Sequence, residues 1–125
     1  MATSKDQALF LLDFCKLVQE ATRLGFLVTG GEIHRTLEQQ KIYFNTGRSK
    51  TMNSRHLDKM AGDLNFIHNG VYVPSLPGAQ VLALLEPVGK YWESLSHKNR
   101  WGGNFDMDWT RKDPFVDAPH FERRD

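Results

Sequence analysis

His56 and Asp63 lie seven positions apart in the stretch SRHLDKMAGDLNF, residues 54–66, and the aspartate leads directly into the apolar run Leu64, Phe66, Ile67. A carboxylate at the head of a buried strand is costly unless an arginine, a set of hydrogen-bond donors or a metal compensates it. A second histidine in an apolar setting, His120, stands in DAPHFE between Pro119 and Phe121. A lone histidine in such a place is usually a hydrogen-bonded core residue. Two of them with an aspartate match a zinc site of three protein ligands and one open position, although the spacing is not the helical HExxH arrangement. The other histidines read as surface or turn residues: His34 alternates with Arg35, His68 falls at a hairpin turn, and His97 lies in the polar SHKNR segment. Residue types and spacing alone therefore give a candidate His56–Asp63–His120 metal site and no more.

The elements that must position these residues belong to a chain of 125 residues, the size of one domain and large enough to bury a core. Charged residues make up 25% and hydrophobic ones 40%, as in soluble globular proteins. A net charge of +1 implies no nucleic-acid partner, although Arg123-Arg124 is locally basic. The single cysteine, Cys15, rules out an internal disulfide and fits a reducing cytoplasm. The N-terminal MATSKDQALF lacks a basic region followed by a long apolar run, and no segment is long enough for stable membrane insertion. Without repeats, low-complexity tracts or linkers, residues 1–125 read as one domain.

Ser4 and Gln7 form a capping-box pattern that opens a helix with Phe10, Phe14, Leu17, Ala21 and Leu24 on one face. Gly25 ends it, Phe26 to Thr29 reads as a short strand, and Gly30-Gly31 turns into a second extended piece ending near Arg35. Thr36 and Gln39 start a short helix that stops at Gly47. Asp63 to Ile67 and Val71 to Val73 read as a hairpin turning at His68-Asn69-Gly70. A longer helix from Pro77 carries Val81, Leu84, Leu85, Val88, Trp92 and Leu95, with a kink expected at Pro87. A last strand is expected around Ala118 to Glu122. Helices interleaved with short hairpin strands argue an α+β fold with a small, mostly antiparallel sheet.

Ser54-x-His56, Ala61-x-Asp63 and the downstream Asp117-x-x-His120 resemble the SxHxxGxAxD and (E/D)xxH signatures of the VanX and D-alanyl-D-alanine carboxypeptidase family of zinc peptidases, which shares a fold with the hedgehog signalling domain. Arg35-Thr36-x-Glu38-x-Gln40, Tyr43, Gly47-Arg48-Ser49, Trp101-Gly102-Gly103 and His120-Phe121-Glu122 extend the likeness over nearly the whole chain. It is nearest to single-domain bacteriophage endolysins that cut the L-alanyl-D-glutamate bond of peptidoglycan. Lys59 stands where the signature has glycine, so the turn between His56 and Asp63 is expected to take a different shape. Asp117 stands where many carboxypeptidase members have glutamate.

The resemblance implies Zn2+ held by His56, Asp63 and His120, with a water in its fourth position acidified toward neutrality. Asp117 is then the general base, provided Pro119 bends the chain to bring it beside His120. The alternatives are a mere turn residue, or Asp106, Asp108 or Asp113 in its place. The resemblance gives Arg35 the task of binding substrate and stabilising the oxyanion. An ion pair of Arg35 with Glu32 or Glu38 is the competing reading. Ser54 is expected to hold the loop or a substrate carbonyl, and Trp101 to wall the substrate cleft, or else to cover the core. The implied partner is the peptidoglycan stem peptide, met by a monomer without a separate wall-binding module. The missing leader fits an enzyme that stays in the host cytoplasm until a separate membrane pore releases it to the cell wall. Two other functions stay open: a D-alanyl-D-alanine carboxypeptidase or dipeptidase, and a zinc-stabilised binding or virion structural protein without turnover.

Overall fold

The computed structural model describes residues 2–105, 107, 109 and 117–125. Helix α1 (Ser4–Arg23) is capped by Thr3, one residue earlier than the sequence suggests. Thr3 Oγ1 accepts from the Asp6 amide, and the Asp6 carboxylate accepts from the Thr3 amide. This register puts an acid at the positive end of the helix and leaves Gln7 free to donate to the Asp58 carbonyl at 3.0 Å. Gly25, at φ +98°, turns the chain into strand β1 (Phe26–Gly30). Helix α2 (Leu37–Asn45) starts at Thr36, whose hydroxyl accepts from the Gln39 amide.

The sheet is antiparallel at every pairing, in the order β1-β2-β5-β4, with β3 also on β2. Strand β2 covers Ala61–His68, β3 Val71–Tyr72, β4 Asn99–Trp101 and β5 His120–Arg123. Asn69 and Gly70 both take positive φ in the β2–β3 turn, as the Asn-Gly pair requires. The α+β class with a small antiparallel sheet, expected from the sequence, is the fold found. Strand β4 has no sequence signal because two of its three residues, Asn99 and Arg100, are polar. Its Asn99 is nonetheless buried, with its amide on Asp13 and on the Trp92 carbonyl. Helix α3 (Gly78–Leu95) runs continuously through Pro87.

The core lies between α1, α3 and one face of the sheet. Phe10, Phe14, Trp92 and Phe121 form a chain of ring contacts at 5.3–6.4 Å. Side chains alternate along β2, so Gly62, Leu64 and Phe66 face this core while Asp63 emerges on the other face. Gly62 has to be glycine, because a Cβ there would come within 2.6 Å of the Phe14 ring. No helix among the described residues is long and apolar enough to cross a membrane.

Candidate metal centre and its cleft

Strand register brings the candidate ligands together. Asp63 on β2 and His120 on β5 are direct cross-strand partners, one register step from the pair Gly62–Phe121 that faces the core. His56 arrives from the short 3-10 turn Arg55–Asp58 that precedes β2. Ser54 caps that turn, its hydroxyl accepting from the His56 amide at 3.2 Å. Lys59 closes it at φ 59°, ψ 34°, so the lysine itself adopts the left-handed conformation in which a glycine would be unstrained.

His56 Nε2, His120 Nδ1 and Asp63 Oδ1 form a triangle with sides of 3.2, 3.3 and 3.5 Å. A tetrahedral zinc ion with bonds near 2.05 Å requires ligand atoms about 3.3 Å apart. The outer hydrogen bonds fix which nitrogens can ligate. His56 Nδ1 must donate to the Ile33 carbonyl at 3.0 Å, and His120 Nε2 donates to Glu122 Oε1 at 2.7 Å. Both facing nitrogens are then left with lone pairs. With lone pairs on both facing nitrogens, Asp63 Oδ1 is buried without a hydrogen-bond partner. Three lone pairs converging on one point repel unless a cation sits among them, so the donor set fits zinc.

Protons can play this cationic part in the metal-free protein. Burial alone would lower the proton affinity of His120, but hydrogen bonds to Asp63 and Glu122 and the charges of Glu122 and Asp117 prevail and raise its pKa to about 9. Burial likewise favours a neutral Asp63, yet His120 and His56 hold it well below the usual carboxylate range. The folded value of His120 exceeds the unfolded value of about 6.5. Its proton therefore stabilises the fold fully below that value, and the contribution is lost as pH rises through about 9. With a chelator present, the melting temperature should fall between pH 7 and 9.5, and zinc should remove that fall. A flat metal-free profile over this range would count against the assignment.

Glu122 was not singled out as a functional residue in the sequence, yet it orients His120. The signal was available, because residues two apart on a strand share a face. Arg100, the register partner of Glu122 on β4, holds its other oxygen with Nη2 at 2.8 Å. Glu122→Gln should weaken zinc binding about tenfold, as read by competition with a chromogenic chelator. Unchanged affinity would leave Glu122 a purely structural ion-pair partner.

A cleft of about 770 Å³ opens over the three ligands, and Asp117, Arg35 and Ser54 share its lining. Asp117 is brought there by backbone bonds. Its amide donates to the Gly102 carbonyl at 2.8 Å, and its carbonyl accepts from the His120 amide at 3.0 Å, closing a turn through Ala118 and Pro119. A Cβ on Gly102 would collide with the Asp117 carbonyl, which explains the glycine after Trp101. Burial raises the pKa of Asp117, and the Asp63 charge adds to this while His120, His56 and Arg35 oppose it. Asp106, Asp108 and Asp113, its sequence alternatives, lie outside the described residues.

Arg35 is less free than an unpaired oxyanion donor would be. Its Nε donates to Glu32 Oε1 at 2.6 Å, and its Nη1 donates to Gln40 Oε1 at 2.8 Å and approaches Ser54 Oγ at 3.5 Å. Buried Gln40 in turn donates to Ser49 Oγ and to the Thr51 carbonyl, tying the loop after α2 to the cleft. Trp101 corrects the sequence reading. It is 2% exposed, packs its ring on Gly89 and Gly103, and does not line the cleft. Its indole nitrogen donates to the Ala118 carbonyl at 2.8 Å, so it braces the Asp117–His120 turn from the core side.

No protein-family model matches the chain, and no curated protein matches it in sequence. Among solved structures it resembles the Serratia marcescens L-Ala D-Glu endopeptidase ChiX, with a TM-score of 0.63 and 22% identity. The match covers 98% of this chain and 88% of that one, and at this identity it shows a shared fold.

Proposed function

We propose that this chain is a zinc-dependent peptidase that hydrolyses the L-alanyl-D-glutamate bond of peptidoglycan stem peptides. The observation that carries the reading is the convergence of His56 Nε2, His120 Nδ1 and Asp63 Oδ1 in a cleft that also holds Asp117. The shared fold with an L-Ala D-Glu endopeptidase supports the bond, and the motif resemblance to phage endolysins supports a role in wall lysis. His56, Asp63 and His120 would hold the ion. The chemistry zinc supplies when bound is acidification of the attacking water and polarisation of the scissile carbonyl.

The remaining steps belong to the chain. Asp117, with its raised pKa, takes the proton of the attacking water and returns it to the leaving amine. Arg35 has its Nε and Nη1 anchored, which leaves Nη2 to donate to the developing oxyanion. Glu122 and the Ile33 carbonyl keep the two imidazoles in the ligating tautomer.

Purified muropeptides treated with the zinc-loaded protein should yield products with a new C-terminal L-alanine and a new N-terminal D-glutamate by mass spectrometry. Release of D-alanine, or cleavage of free D-alanyl-D-alanine, would assign the same chemistry to a different bond. Intact muropeptides would reject the peptidase reading.

A further inference from the structure

The proposed substrate has a chemical feature that the metal and its neighbours do not account for. Glutamate has two carboxyl groups, and extending the chain through it uses one. The residue on the amine side of the scissile bond therefore presents a free carboxylate to the cleft. At the metal centre Asp63, His56 and His120 are committed to the ion and Glu122 to His120 and Arg100, so a separate cation has to take this group.

Most of the cleft arginines are already engaged. Arg35 is held by Glu32 and Gln40, Arg55 by Asp58 and Asp125, and Arg100 by Glu122. Arg124 donates to the backbone carbonyls of His97 and Lys98. Arg48 differs. Its guanidinium lies over the Tyr43 ring, 4.4 Å from the centroid, and no described residue forms a hydrogen bond or ion pair with it. Tyr43 is itself fixed, with its hydroxyl on Glu32 Oε2 at 3.1 Å and the Arg35 guanidinium over the same ring at 4.6 Å. A row of contacts thus runs outward from the metal centre: His56, Ser54, Arg35, Tyr43, Arg48.

We infer that Arg48, parked on Tyr43 at the outer end of this row, recognises the free carboxylate beside the scissile bond and so sets substrate specificity. The inference rests on the peptidase reading above. A guanidinium stacked on an aromatic ring keeps its planar fork of donors facing outward, a geometry matched to a carboxylate.

The test measures binding and turnover separately. Dissociation constants are determined by calorimetry on the zinc-loaded full chain carrying Asp117→Ala, to suppress turnover. The probes are L-alanyl-D-glutamate peptides whose free carboxyl is either intact or converted to the carboxamide. The carboxylate peptide should bind about tenfold or more tightly than the carboxamide. Adding Arg48→Ala should bring the ratio near one, and Arg48→Lys should leave it in between. A ratio that Arg48→Ala does not change, or no preference to begin with, overturns the inference. A preference that depends on Arg48, combined with no cleavage by the unmodified chain, upholds the inference and fails the peptidase reading alone. Cleavage with a preference indifferent to Arg48 does the reverse.

Discussion

Asp117→Ala is expected to lower peptidoglycan turnover about a thousandfold, within the range typical for loss of a general acid–base group, while zinc content and melting temperature stay near those of the unmodified chain. The separation is expected because the backbone of Asp117, rather than its carboxylate, builds the turn. The Gly102 carbonyl and the His120 amide hold that turn whatever side chain residue 117 carries. The three converging ligand atoms come from other residues. Burial favours the protonated form of Asp117, so a proton taken from water can be held until the amine leaves. Activity within a few fold of the unmodified chain would remove Asp117 from the mechanism. Loss of zinc in the variant would instead make it part of the metal's surroundings.

Arg35→Ala should cut turnover about a hundredfold, the usual effect of one lost oxyanion donor, and here a stability loss should accompany it. The side chain is 9% exposed and carries a 2.6 Å pair with Glu32 and a bond to buried Gln40. Its removal leaves Glu32 with Tyr43 as its remaining partner and strands Gln40 Oε1, which is worth about 1–3 kcal/mol. The expected fall in melting temperature is therefore several degrees, with zinc still bound. Arg35→Lys should restore part of the stability and little of the rate, since a point charge cannot hold Glu32 and Gln40 and also donate into the cleft. A variant that loses stability but keeps its turnover number would confine Arg35 to the ion pair.

These two residues show where sequence reading reached and where it stopped. The His56, Asp63 and His120 set could be picked out because histidines and a carboxylate in apolar segments are chemically conspicuous. Strand periodicity then placed Asp63 correctly, except that its side chain leaves the core face instead of opening it. Arg35 could be named but its partners could not be chosen, because Glu32 and Glu38 lie equally near in sequence. Tertiary contacts selected Glu32 by also placing Tyr43 on it. Trp101 was misplaced because an aromatic beside two glycines suits both a cleft wall and a tight core contact. Only the approach of Gly89 from α3 decides between them. Strand β4 escaped notice because Asn99 and Arg100 are polar and find their partners, Asp13 and Glu122, on other elements. Thr3 and Ser4 both carry a capping hydroxyl, and the acid three residues beyond Thr3 settles which one acts.

Zinc per chain, measured by elemental mass spectrometry after loading and exhaustive dialysis, tests the central claim most directly. The unmodified protein should retain about one zinc ion, and His56→Ala should retain almost none. His34 and His97, exposed and away from the ligand triangle, serve as internal controls, and replacing either should leave the zinc count unchanged. Zinc retained in His56→Ala, or absent from the unmodified protein, would contradict the His56–Asp63–His120 centre and the hydrolytic chemistry proposed for it.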